Sequence, residues 1–210
     1  MRKNFSILIF TLLFIFSCAK EKPYFTPSKL SILWRKATDD YLKVVRKWTK
    51  EGRLYNEFET VMITTVTYNS WEVRKAYIER EAKLKGLSEK EKNKLLEKER
   101  KEFEKANEFY VACYVGKDEW NKLHKKESIW SVVLINHLGK TFKPISIEDI
   151  DEKEKVKIWR TFDIASPWRK IYKITFPKFY GKAKNLVLVE DKPFKLEFRS
   201  YMGVISLKWR

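Results

Sequence analysis

Phe194-Lys195-Leu196-Glu197-Phe198-Arg199-Ser200 alternates apolar and polar side chains without a break. Successive side chains of a strand point to opposite faces, so Phe194, Leu196 and Phe198 share one face and Lys195, Glu197 and Arg199 the other. That is the signature of a strand in an antiparallel sheet with one face on a core and one in water. The same period recurs outward through the carboxy-terminal half. Residues 109–115, 129–138, 155–162, 170–176, 185–190 and 204–209 are rich in β-branched and aromatic side chains and read as further strands. Turn signals separate most of them: Gly116-Lys117-Asp118, Gly139-Lys140, Ser166-Pro167, Gly181, Asp191-Lys192-Pro193 and Met202-Gly203.

Upstream, the period changes. Leu30, Leu33, Trp34, Ala37, Tyr41, Val44, Val45 and Trp48 recur at helical spacing opposite Asp39, Asp40, Lys43 and Lys47, which predicts an amphipathic helix over 28–50 ending before Gly52. Trp34, Tyr41 and Trp48 lie seven apart, a stripe that belongs in a core. Residues 58–68 read as a strand. Asn69 with Glu72, and Ser88 with Glu91, have the spacing of capping boxes and predict a helical hairpin over 70–107 that turns at Gly86. Its second helix is mainly charge alternation, with Glu97 and Lys101 spaced for a weak surface pair.

Together these elements predict an α+β chain: an antiparallel β-sandwich over 109–210 plus strand 58–68, with an amino-terminal amphipathic helix and an inserted helical hairpin. Residues 28–210 suffice for one domain with a real core. The strand spacing, with Trp130 inside a central strand, resembles the immunoglobulin-like sandwiches of envelope lipoproteins, without their paired cysteines.

The amino terminus carries an address. Arg2 and Lys3 precede an apolar run over 5–16 interrupted by Ser6 and Thr11, and Ser17-Cys18 follow. This is the order of a signal peptide. The run is too short to cross about 30 Å of hydrocarbon, which takes about 20 residues. Ile15, Ser17 and Cys18 resemble the lipobox of bacterial lipoproteins. The resemblance implies that residues 1–17 are removed, that Cys18 is diacylated and then acylated, and that residues 18–27 tether the domain to a membrane. Ala19 after the cysteine implies the outer membrane, facing the periplasm, in a Gram-negative cell. The other cysteine, Cys113, lies in an apolar strand and reads as a buried, inert thiol, so no internal disulfide is expected.

The chain has 45 Lys and Arg against 28 Asp and Glu, a formal charge of +17. Loss of Arg2 and Lys3 with the signal peptide leaves +15. Export removes nucleic acid as the partner for this charge. Two readings stay open: solubility from dispersed lysines, or attraction to anionic lipid headgroups and glycans. The absence of glutamine and the dominance of Lys and Glu suit a protein from a hot environment.

Signals for catalysis are sparse. His124 and His137 have no neighbour at metal-ligand spacing, and there is no glycine–serine elbow or phosphate-binding loop, so neither an enzyme nor a metal or other cofactor is expected. A hydrolase is the weakest alternative. The acidic cluster Glu148, Asp149, Asp151, Glu152 and Glu154 lacks the glycine and the terminal glutamate of a calcium loop and reads as a solvated turn. The strongest binding signal is rings interleaved with cations on turns: Trp168, Arg169, Lys178, Tyr180 and Lys182 as candidate contacts for an anionic glycan or lipid. The competing account is that the rings plug the ends of the sandwich. The expected role is a lipid-anchored, non-enzymatic envelope protein that binds another envelope protein or supports an assembly.

Overall fold

The computed structural model describes residues 29–151, 154, 155, 158, 161, 162 and 169–210. Cys18, the tether 19–27, Glu152 and Trp168 lie outside the described residues, as do the side chains of Leu30, Leu33, Trp34 and Ala37. By backbone proximity the chain divides into two units, Met1–Leu33 and Trp34–Arg210. Of the first, the described residues only open helix α1, and the packing below concerns the second.

Helix α1 (Lys29–Trp48) runs directly into β1 (Thr49–Asn56), which turns at Glu57-Phe58 into β2 (Glu59–Tyr68). Strand β1 is a finding the sequence did not announce. Its residues TKEGRLYN do not alternate, and it is held by its register with β2, from Thr49 opposite Thr67 to Asn56 opposite Glu59. The hairpin follows as α2 (Trp71–Lys85) and α3 (Glu89–Phe103). Ser70, not Asn69, caps α2 by accepting from the Val73 amide, and Gly86 closes it at φ 63°. Asn69 is diverted to the sheet, its backbone N–H donating to the Glu108 carbonyl and its amide to the Glu108 carboxylate. Ser88 and Glu91 form the reciprocal capping box that starts α3.

The remaining strands are β3 (Ala106–Val115), β4 (Ser131–Ile135), β5 (Thr141–Phe142), β6 (Ser146–Asp149), β7 (Lys170–Pro177), β8 (Phe179–Tyr180), β9 (Asn185–Leu186), β10 (Phe194–Ser200) and β11 (Gly203–Trp209). They form sheets of order β1-β2-β3-β7-β6 and β11-β10-β4-β5, plus the ribbon β8-β9, and every pairing is antiparallel. The class is therefore α+β with antiparallel sheets. The strand expected over 155–162 is a correction, because the described residues Glu154, Lys155, Ile158, Thr161 and Phe162 are helical. The physical reason is a start signal and a period. The Asp151 carboxylate accepts from the Glu154 amide, and Ile158 and Phe162, one turn apart, are both buried. A short apolar run of this kind suits either period when read alone.

One core lies between the inner faces of the two large sheets. Phe109 of β3 packs edge-on against Phe194 of β10 and Trp209 of β11, and Phe194 stacks on Trp209 at 5.1 Å. Each fully buried side chain of this size contributes about 1.5–3 kcal/mol. The Trp209 indole N–H donates to the Trp48 carbonyl at 2.8 Å, which satisfies its polar handle in the core. A second core lies on the outer face of the five-stranded sheet. There Tyr41 and Val45 of α1, Val73 of α2, Ile158 and Phe162 pack on Ala112 and Ile171. Coverage on both sides explains why β3 and β7 read as apolar runs rather than as clean alternation.

Candidate functional site

The outer layer does not close completely. Between α1, α2, α3 and the helical residues after Asp151 it leaves a cleft of about 210 Å³ over β3. Tyr41, Tyr77, Tyr110 and Phe162 bring rings to its lining, and Arg74, Glu99, Glu108 and Glu154 bring charges.

Local structure explains each placement. On β3, Glu108, Tyr110 and Ala112 alternate onto the outer face while Phe109, Val111 and Cys113 face the inner core. On α2, Arg74 shares a stripe with Ile78 and Ala82 at four-residue spacing, and all three are buried. A buried guanidinium must be paired. Arg74 donates from Nε to the Asn69 carbonyl, from Nη1 to Glu99 at 2.8 Å and from Nη2 to Glu108 at 2.5 Å. Glu108 also takes Lys173 of β7 at 2.7 Å. Burial alone would raise the Glu108 carboxyl, but the Lys173 hydrogen bond and the charges of Arg74 and Lys173 outweigh it and hold the group below the usual carboxylate range.

The rings are fixed as well. Phe162 stacks on Tyr110 at 4.6 Å, and Tyr41 meets Tyr77 edge-on at 6.0 Å. The Tyr41 hydroxyl donates to the Thr161 carbonyl and so ties α1 to the helical residues across the cleft. Arg80 lies over the Tyr41 ring, 4.7 Å from its centroid. Burial is the first cause that raises Tyr41, and it also pushes the Tyr110 phenol up to about 12, so both rings stay neutral in ordinary conditions.

The candidate anion contacts do not converge. Arg169 and Lys178 flank the two ends of β7, about 30 Å apart at about 3.3 Å per residue. Arg169 donates to the Thr65 hydroxyl at 2.6 Å. Lys178 is buried, because it continues the inward alternation of Tyr172, Ile174 and Phe176, and its ammonium lies 3.4 Å from the Phe103 ring centroid. Tyr180 packs on Phe142 under the Lys140 ammonium, and Lys182 is exposed on the turn between β8 and β9. Tyr180 and Lys182 thus share one ribbon, whereas Lys178 faces inward and Arg169 belongs to the far end.

Cys113 is fully buried and its thiol is pushed up to about 12 by burial. His124 tilts over Tyr172 at 6.0 Å with Nδ1 4.0 Å from Asp149. Most cleft residues escaped the sequence reading, though Tyr41 stood in the aromatic stripe, Asn69 in a capping pair and Glu154 in the acidic cluster. Arg74 was legible as a charge inside an apolar stripe.

Among the described residues no helix is long and apolar enough to cross a membrane. No family model and no curated protein matches the chain. A solved structure of a protein of unknown function from Burkholderia pseudomallei K96243 is similar over 89% of this chain and 90% of that one, at 8% identity and a TM-score of 0.41.

Proposed function

We propose that this chain is a lipid-anchored protein of the cell envelope whose role is non-enzymatic binding of a small ligand in the cleft over β3. The observation that carries the reading is the cleft itself, a concavity of about 210 Å³ whose described lining brings four rings, the paired charges Arg74, Glu99 and Glu108, and exposed Glu154. Small-ligand sites are largely preformed concavities of this mixed lining. A general acid or base needs its proton poised near neutrality. Glu108, held low by Arg74 and Lys173, is set the other way, which favours recognition over catalysis. The address rests on Ile15-Phe16-Ser17-Cys18, with Ala19 directing the protein to the outer membrane if the cell is Gram-negative, and we read the two large antiparallel sheets as an immunoglobulin-like sandwich.

The binding half is tested by thermal shift of the intact protein in detergent with small-molecule extracts of its own cells. A stabilising fraction is expected, and Thr161→Phe, which fills the cleft, should abolish the shift. Identical responses from parent and variant would sink the cleft reading. The anchor half is tested by Cys18→Ser, which should end palmitate incorporation and release the protein from membranes. Unchanged membrane retention would remove the anchor.

A second reading is favoured by one surface. Tyr55 and Phe58 at the β1–β2 turn and Tyr201 at the β10–β11 turn are exposed, and Leu54 against Gly203 brings the two turns to the same end. Aromatic side chains grouped in this way suit a protein partner in the envelope. Phe58→Ser should then lower crosslinking to that partner without a change in stability.

A further inference from the structure

We propose that the cleft over β3 receives an organic cation, an ammonium or guanidinium group carried on a short apolar stem; this deepens the reading of the cleft as a binding site and rests on it. The charges come first. Among the described residues the lining contains three carboxylates, Glu99, Glu108 and Glu154, against one guanidinium, Arg74. Lys173 pairs with Glu108, and Arg80, which lies over the Tyr41 and Tyr77 rings, pairs with Glu81, so among the described residues the immediate surroundings keep one negative charge in excess. This occurs in a chain of formal charge +17, so the cleft is a local acidic spot in a basic protein. The Debye length near 8 Å at physiological salt lets such a spot act on a bound group while the distant lysines are screened.

The rings come second. Cations are attracted to aromatic faces, and recognition of alkylated ammonium groups uses several rings together. Tyr41, Tyr77, Tyr110 and Phe162 line a single small space. Arg80 already sits on one face of Tyr41 and of Tyr77, and Tyr110 stacks on Phe162, so an entering cation meets the remaining faces and edges. The apolar side chains Val73 and Ile158 offer contact to a methylene stem.

The arrangement of the carboxylates separates an organic cation from a metal ion. Glu99 is on α3, Glu108 on β3 and Glu154 follows Asp151, and among the described residues no three His, Cys, Asp or Glu side chains converge closely enough to hold a metal. A hard cation needs oxygens packed around it at about 2–2.6 Å. Charges spread over the walls suit a larger ion with diffuse charge. The volume, about 210 Å³, limits the occupant to the size of a diamine, a choline or the end of a basic side chain. Glu108 is engaged by Arg74, Lys173 and Asn69, which leaves exposed Glu154 as the carboxylate best placed to meet an entering cation.

The test is calorimetric titration of the intact chain in detergent micelles, at constant ionic strength, with putrescine, choline, acetate, erythritol and magnesium chloride. Saturable binding of putrescine or choline is expected, weakened about 5- to 10-fold by Glu154→Gln and by Tyr77→Leu. Glu154 is exposed and Tyr77 half-buried, so both variants keep the fold, which circular dichroism verifies. Cation binding indifferent to both substitutions places the ligand elsewhere and overturns the proposal, as does displacement by magnesium at equal concentration. Binding of acetate or erythritol instead, abolished by Thr161→Phe, overturns the cationic class and leaves the cleft as a binding site. If no probe of any charge binds and cell extracts also fail to stabilise the protein, both readings fall together.

Discussion

Lys178 carries the sharpest electrostatic tension among the single residues. Its side chain is buried, with the ammonium over Phe103. Burial, and then the like charges of Arg74 and Arg100, lower it from 10.5 to about 8, against the weaker pull of Glu104 and Glu190. Between those two values the unfolded chain holds more protons than the folded one, so stability rises with pH across that window. Below pH 8 both states are protonated and the penalty for burying the charge is present in full. Above 10.5 it is gone. Lys178→Met should therefore stabilise the protein at pH 7, on the order of 1–3 kcal/mol after allowance for the lost ring contact. The gain should vanish near pH 10.5. Urea midpoints of parent and variant at the two pH values measure it, and an equal gain at both would assign the effect to packing. The residue also shows why the candidate anion contacts were only half legible. A lysine on a turn reads as solvated, and only the register of β7 reveals that it continues an inward face.

At the scale of elements, the helical hairpin and the Ser88 cap were readable, whereas the helical residues after Asp151, the Ser70 cap and the crossings of strands were not. Ser88 and Glu91 form the box that their spacing announces, and Glu97 pairs with Lys101 at 2.9 Å. These features depend on neighbours a few residues away. Strand β1 depends instead on β2 and on its passage over β11, where Gly52 allows the approach. A Cβ built on Gly52 would lie 2.3 Å from Ile205 Cγ2 and 2.8 Å from Leu207 Cδ2. Both side chains belong to the core and have little room to yield. Gly52→Ala is expected to destabilise by about 1–3 kcal/mol, as overpacking does. Gly139→Ala gives a contrast: its Cβ meets nothing within 4 Å, but its φ of 76° makes the cost conformational. Combining either with Ile205→Ala, which removes Cγ2, in a double-mutant cycle separates the two mechanisms. The truncation should cost less in the Gly52→Ala background than in the parent if the Cγ2 contact is the cause, and should add independently to Gly139→Ala. Additivity at Gly52 would rule the crossing out as the source.

At the scale of the whole molecule, stability is unevenly distributed, and the distribution bears on the cleft. The sheets share a ring-filled core, whereas α3 buries none of its own residues. A 15-residue helix is marginal in isolation. What holds α3 is its last residue, half-buried Phe103, which packs against the core and meets Trp71 at 6.2 Å, together with the Arg74–Glu99 pair and Arg100 over Trp71 at 5.0 Å. Polar contacts of this kind are each worth about 1 kcal/mol or less where they are exposed. Segments with few buried apolar contacts open well below the global unfolding free energy. Amides of α3 should therefore exchange with deuterium far faster than those of β3 and β7, at an opening free energy several kcal/mol lower. Equal protection of α3 and β3 would show that the hairpin unfolds only with the sheet. Because Glu99 rides on α3 while Glu108 is fixed on β3, opening α3 also removes one wall of the cleft and one partner of Arg74. A ligand seated against both walls binds the closed form alone, and so raises α3 protection by the free energy of its binding. Exchange measured with and without putrescine should show a selective slowing in α3. Uniform slowing across the sheets would mean that the closed wall is not what the ligand selects.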